Sequence, residues 1–202
     1  MQSTITSSSG LRNSVSPTLE SLSQALPKRI LVAICASAFV AVCAHIILPL
    51  PFTPVPLTLS DFAVLLVGLA LGPVAGFSAM ILYLAEGASG LPVFSPQGPG
   101  GILQLLGPTA GYLFAYPLAA AVAGVAGSFR RSTLRPFTSA VLAGTLAMAI
   151  ILAIGAVWLS HNRLLNVSST WAVAVGPFLF GSLAKIVAAA SIFSATRRWL
   201  RA

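Results

Sequence analysis

Residues 173–195 read VAVGPFLFGSLAKIVAAASIFSA, with Arg197 and Arg198 just beyond. These 23 residues hold one charge, Lys185. As an α-helix such a run spans roughly 34 Å, enough to cross a bilayer's hydrocarbon core of about 30 Å. It is continuously apolar, whereas an outer-membrane strand alternates. Backbone groups in lipid must bond within their own segment, so the run reads as a transmembrane helix. Lys185 lies 12 residues beyond Val173, too deep to reach water easily. An intramembrane ammonium costs at least about 2.5 kcal/mol at a helix centre, so it faces an interior or a cavity and needs a partner.

The rest of the chain has the same character. Its 202 residues are 57% hydrophobic and 7% charged, with a mean hydropathy of +0.96. A soluble domain carries about 25% charged residues, so there is too little polar surface here to cover a globule in water. Five further apolar runs fall at about 30–48, 57–71, 74–88, 108–128 and 137–159. The second and third are short and separated by Gly72-Pro73, which leaves a single kinked helix as an alternative. The charges decide between the two counts. Lys28 and Arg29 precede the first run, Arg130, Arg131 and Arg135 separate the fourth from the fifth, and Arg197, Arg198 and Arg201 follow the sixth. Cations mark cytoplasmic loops, and only an even number of crossings puts Lys28 and Arg130 on one side. The expectation is therefore an all-α membrane protein with six transmembrane helices and both termini cytoplasmic. A Gly/Pro-rich outer loop, residues 89–106, joins helices 3 and 4.

Residues 1–27 are Ser/Thr-rich and read as a mobile cytoplasmic tail. Leu19, Leu22 and Leu26 allow a short interfacial helix within it. The stretch lacks the charged start and short apolar core of a cleaved secretory signal. The net charge of +8 sits at the ends of apolar runs, as orientation signals do, and does not point to nucleic acid. Cys35 and Cys43 are eight residues apart on one helix and read as small buried hydrophobes.

Enzyme signatures are weak. Residues 176–182, GPFLFGS, have the glycine spacing of a phosphate loop but lack its lysine and lie inside a span. Gly76-Phe77-Ser78-Ala79 faintly resembles the surroundings of an intramembrane serine nucleophile, which would need a base in reach. His45 and His161, both near outer span ends, are the only histidines. With two helix-borne cysteines they make no zinc site. No catalytic residue and no cofactor is expected.

Binding residues are easier to nominate. Besides Lys185, the ionisable groups within the spans are Asp61 and Glu86. Lys185 either pairs internally with one of them or meets an anionic or polar ligand. Asp61 also suits a helix N-terminus, and Glu86 also suits the headgroup region. Ser182 shares the Lys185 face one turn earlier. Gln104, Thr109 and Tyr112 flank the start of the fourth span, where an aromatic face with hydrogen-bonding groups suits a small ring. Ala33, Ser37 and Ala41 form a small-residue face on the first span, suited either to internal packing or to docking a membrane partner.

Five ordered blocks carry a resemblance: Thr53-Pro54-Val55-Pro56-Leu57-Thr58, Leu69-Ala70-Leu71-Gly72-Pro73, Gly90-Leu91-Pro92-Val93-Phe94, Leu106-Gly107-Pro108-Thr109-Ala110-Gly111-Tyr112, and Gly176-Pro177-Phe178 with Lys185. Together they span about residues 30–196 and resemble BioY, the biotin-binding subunit of energy-coupling-factor (ECF) transporters. The resemblance implies a six-helix substrate-binding domain over residues 28–202 in the cytoplasmic membrane, with biotin held near the outer face. It also implies a transmembrane coupling subunit and two ATPases as partners, with Ala33, Ser37 and Ala41 docking the former. Biotin is then the transported ligand, and another vitamin is the alternative within the class. The family's last helix usually has an acidic residue three positions before the lysine. Ser182 stands there, and Pro99 and Leu113 stand near places where some members have Asn and Arg. Gln104, Glu86 and Asp61 are the expected substitutes.

Overall fold

The computed structural model describes residues 16–48, 53, 55–128 and 136–199. The tail before Ser16 and the expected cation cluster Arg130, Arg131 and Arg135 lie outside them. The chain divides into two compact units, residues 1–32 and 33–202. The described part of the first unit, residues 16–32, is helical. Helix α1 runs Ser16–Ala44 with Pro27 inside it, so it begins well before the expected start near Ile30. Pro17 suits a first turn, where its missing N–H has no partner to lose. Pro27 removes one backbone bond without ending the helix. Cys35 is exposed and only Cys43 is buried, so the expectation of two buried cysteines holds for one.

In the second unit, strands β1 (Ile47–Leu48) and β2 (Leu57–Thr58) pair antiparallel, with Ile47 opposite Thr58. This ladder of two residues a side was not anticipated in an all-α fold. It brings the end of α1 beside the start of α2, Ser60–Leu71. Helix α3 follows as Pro73–Ala88. Gly72 between them has φ 84°, a conformation that favours glycine, and Pro73 opens α3 at a position that needs no N–H. A Cβ built on Gly76 would lie 3.1 Å from the Gly68 Cα. Eight residues along one helix span roughly 12 Å, so the chain reverses here. The pair is a helical hairpin, and the single kinked helix is excluded.

The Gly/Pro-rich segment then runs irregularly, holding only the one-turn helix α4 (Gly101–Gln104). Gly90, Gly100 and Gly101 all have positive φ there. Helices α5 (Ala110–Ser128) and α6 (Pro136–Arg163) follow. A one-turn helix α7 (Val167–Thr170) leads into the last span. That span was expected as one α-helix from Val173. Instead a π turn, Trp171–Val175, and a 3-10 turn, Gly176–Phe178, precede α8, Leu179–Trp199. Pro177 explains the departure: in a regular helix its nitrogen would face the Val173 carbonyl with no hydrogen to donate. Here Thr53 Oγ1 donates to the Val173 carbonyl at 2.8 Å, and the Tyr112 hydroxyl donates to the next, Ala174, at 2.9 Å.

Helix α5 is the hub of the unit. Its Ala115, Ala119, Ala120 and Ala123 are fully buried. Gly68 lets α2 approach so closely that a Cβ there would sit 2.3 Å from the Ala120 carbonyl oxygen. Small residues of this kind let helices pack in lipid, where no hydrophobic force drives them together. The outside is apolar: Val74, Leu142, Val157, Phe180 and Leu183 are all exposed. The residues 26–44, 136–163 and 178–199 are helices long and apolar enough to cross a membrane, while 60–71, 73–88 and 110–126 are shorter apolar helices.

Candidate ligand-binding site

Asp61 lies in the first turn of α2 and Lys185 lies in α8. The Lys185 Nζ donates to Asp61 Oδ2 at 2.7 Å. Lys185 is only 7% exposed, so its ammonium has exchanged water for this carboxylate. Tyr116 of α5 donates to the other oxygen, Oδ1, at 2.9 Å. The Tyr116 oxygen is also 2.7 Å from Ser60 Oγ, which lies 2.5 Å from Thr58 Oγ1. Each hydroxyl has one proton to give. With the Tyr116 proton directed at Asp61, Ser60 donates to Tyr116 and Thr58 donates to Ser60. The chain Thr58, Ser60, Tyr116 therefore converges on one carboxylate, whose charge Lys185 balances. Linked bonds of this kind reinforce one another in a low-dielectric interior.

Asp61 and Tyr116 form the polar wall of a cavity of about 50 Å³ that also meets Gln104, Thr109, Tyr112 and Ser95. Val55, Ile151, Leu152 and Phe178 supply apolar walls. A second chamber, of about 220 Å³, shares Pro56, Ser95, Gln104 and Thr109 with the first and is bordered by Arg163. Tyr112 stands edge-close to α6, where a Cβ on Gly155 would fall 2.3 Å from its ring. Trp158 of α6 donates to the Gly107 carbonyl at 2.9 Å and ties down the end of the Gly/Pro-rich segment. The other end is held by Phe94, buried edge-on to Tyr83 at 5.4 Å, and by the Tyr83 hydroxyl, which donates to the Val93 carbonyl.

Four of the seven nominated binding residues line this cavity: Asp61, Gln104, Thr109 and Tyr112. Lys185 is not among its walls and stands behind Asp61. Ser182 is buried on α8 and borders neither chamber. Glu86 borders neither chamber and accepts a hydrogen bond from Ser37 of α1. Of the three residues expected to replace the acid missing at Ser182, Asp61 is the one that meets the lysine.

That same Ser37 bond gives the small-residue face of α1 a contact within the chain. Ser37 is fully buried, and Ala33 and Ala41 pack against the core. This face of α1 therefore makes internal contacts through Ser37, while Ala33 and Ala41 are only partly covered. The faint nucleophile falls away. Ser78 is exposed and its hydroxyl donates to the Val74 carbonyl. The His45 ring nitrogen Nδ1 bonds the Ala41 carbonyl at 2.8 Å, and His161 is exposed at the end of α6.

Sequence reading missed Tyr116, Ser60, Thr58, Ser95 and Arg163. A signal existed for the first two. Tyr116 is four residues after Tyr112, on the same helical face, and Ser60 is next to Asp61. Ser95 carried none, although among the described residues its hydroxyl is buried without a partner.

A crystal structure at 2.1 Å of the S-component for biotin from an ECF-type ABC transporter superposes with a TM-score of 0.77 at 22% identity, covering 87% of this chain and 93% of that one. At that identity the likeness shows the fold. The probable biotin transporter BioY of Pyrococcus horikoshii is 38% identical over 69% of this chain and 78% of its own length. The biotin transporter BioY of Thermotoga maritima is 36% identical over 71% of this chain and 81% of its own. The Lysinibacillus sphaericus protein, named a probable biotin transporter BioY, is 39% identical over 75% and 74%. A family model described as the BioY family matches residues 14–202, and with that match over nearly its whole length the chain belongs to the BioY family.

Proposed function

We propose that this chain captures biotin at the outer side of the cytoplasmic membrane and serves as the substrate-binding subunit of an uptake system. The observation that carries the reading is the cavity at Asp61. It offers one charge-balanced carboxylate and three phenols, those of Tyr83, Tyr112 and Tyr116, within apolar walls. Biotin presents a ureido ring with two N–H donors and a carbonyl, fused to an apolar sulfur ring. Asp61 has lone pairs beyond those used by Lys185 and Tyr116, so it can accept from a ureido N–H. A pocket with a few convergent polar groups among apolar walls suits such a ligand. Relatives named biotin transporters support the same choice. The chain is a transport subunit and not an enzyme.

In this reading Asp61, Tyr116, Tyr112, Gln104 and Thr109 contact the ligand, and Lys185 acts through Asp61. Ligand pockets usually hold about 300–1000 Å³. Either chamber is smaller, so binding joins them by moving Gln104, which walls both. Helices α1, α2, α3, α5, α6 and α8 form six crossings, with residues 1–27 and the C-terminus in the cytoplasm, as the cations at Lys28, Arg29, Arg197 and Arg198 favour. ATP is consumed by separate partner subunits joined through a transmembrane coupling subunit, as the fold likeness to an S-component supports.

Equilibrium binding of labelled biotin to the purified chain in detergent tests the reading. Saturable binding at micromolar biotin or below, displaced by unlabelled biotin and not by excess thiamine or riboflavin, is the expected result. Lack of saturable binding, or displacement by another vitamin instead, removes biotin as the ligand.

A further inference from the structure

We propose that Arg163 is the subsite for the ligand's carboxylate, so that the outer chamber reads the anionic end of the molecule while Asp61 reads its neutral ring. The inference rests on the biotin-capture reading and adds to it an orientation and a selective residue.

The two chambers each have one charged side chain in their walls. Asp61 borders the inner cavity, and Arg163 borders the outer chamber. The chambers share Ser95, Gln104 and Thr109, so a ligand reaching from one into the other passes only neutral groups. A terminal carboxylate placed inside would meet the Asp61 carboxylate, and the Lys185 ammonium is already bonded to it. Like charges at close range in a low dielectric repel strongly, so the anionic end is excluded from the inner wall. At the opposite end Arg163 offers a planar fork of donors that matches a carboxylate. Among the described residues the ion pair found is Lys185 with Asp61, so no described carboxylate competes for Arg163.

The backbone fixes where this guanidinium stands. Helix α6 ends at Arg163, and Leu164 follows in the left-handed region with φ 53°. The Leu165 N–H closes the turn on the Ser160 carbonyl at 3.0 Å. A glycine usually takes such a position, because a side chain there is strained. The Leu164 side chain is 90% exposed, so its own packing does not offset the strain. The sharp stop sets Arg163 at the rim of the chamber. The competing explanation is a cation that complements the C-terminal dipole of α6. Such a cation, exposed and out of contact with the ligand, tells a carboxylate from its neutral amide only through a weak, salt-screened attraction.

That difference is the test. Binding of biotin and of its uncharged primary amide is measured with the full chain, Arg163→Gln and Arg163→Lys. The full chain is expected to prefer biotin to the amide. Arg163→Gln is expected to weaken biotin by about tenfold, the scale of one charge-assisted bond. The amide should bind the variant as it binds the parent, which also shows the pocket to be intact. Arg163→Lys should recover part of the preference, and raised salt should weaken biotin more than the amide. Equal biotin affinity in parent and Arg163→Gln overturns the assignment, and so does an equal loss for both ligands. Failure of the unaltered chain to bind either ligand instead overturns the biotin-capture reading itself.

Discussion

The Asp61 carboxylate stands between Lys185 and the cavity: Nζ lies 2.7 Å from Oδ2, and only the acid reaches the cavity wall. The intramembrane cation that stands out in the sequence is therefore bonded to a carboxylate, and in the proposed function that carboxylate is the group a ligand meets. A lone Asp61 would be costly to keep ionised in lipid. A lone Lys185 would present the wrong polarity to two ureido N–H groups.

Breaking this pair from either side should destabilise the chain by about 3–5 kcal/mol, because each single change strands a buried charge. Lys185→Met strands the carboxylate, and Asp61→Asn strands the ammonium. The double variant Asp61→Asn with Lys185→Met removes both charges. It is expected to regain most of the parent's melting temperature in detergent but not its biotin binding. Parent-like binding by the double variant would show that the carboxylate is structural and not a ligand group.

The two tyrosines of α5 should separate affinity from stability. Tyr116→Phe removes the hydroxyl that serves Asp61 and Ser60. A bond to a charged acceptor is worth about 1.5–3 kcal/mol, so ligand affinity should fall by tenfold or more. Tyr112→Phe instead orphans the Ala174 carbonyl at the π turn. An unsatisfied buried carbonyl costs about 1–3 kcal/mol, and the effect should appear chiefly as a lower melting temperature. Paired measurements of Kd and Tm on both variants check the contrast; identical profiles would contradict it.

The hairpin at Gly72-Pro73 and the helical character of the spans follow from local rules, glycine at positive φ and proline at a first turn, and are legible in the residues. Lys185 is legible for the same kind of reason: one charge in a long apolar run must have a purpose. Its partner is less so. Asp61 and Glu86 are equivalent as residues, and only the packing of α2 against α8 makes Asp61 the neighbour. Ala33, Ser37 and Ala41 form a small-residue face whose direction no pattern records, since internal and external helix contacts in lipid use the same residue types. The π and 3-10 turns before α8 escape sequence reading because Pro177 can end a helix or bend it. The outcome depends on Thr53 and Tyr112, distant in sequence, taking up the freed carbonyls.

The Gly/Pro-rich segment should prove to be held by Phe94. Gly87 of α3 leaves the space for its ring, and a Cβ there would lie 2.0 Å from Phe94 Cζ. Gly87→Ala must therefore push the ring, and with it Ser95, which borders both chambers. Weaker biotin binding and faster proteolysis within residues 89–106 are expected, with the helical content by circular dichroism unchanged. Unaltered proteolysis would show that the segment is fixed elsewhere, for example by the Trp158 bond to Gly107.

One substitution at two glycines should have opposite effects. Gly68 of α2 faces backbone: a Cβ there would lie 2.3 Å from the Ala120 carbonyl oxygen. No rotamer relieves that contact, so α2 and α5 must separate, and overpacking of this kind costs about 1–3 kcal/mol or more. Gly144 of α6 faces a side chain, with Ile186 Cγ2 nearest at 3.4 Å, an ordinary contact distance. There the methyl fits, and alanine is the better helix former by about 0.8–1.0 kcal/mol on the soluble scale. Gly68→Ala should therefore lower the melting temperature and also weaken biotin binding, because α2 carries Asp61. Gly144→Ala should leave binding intact and hold or raise the melting temperature. If both variants behave alike, the close seam between α2 and α5 is not what sets the position of Asp61.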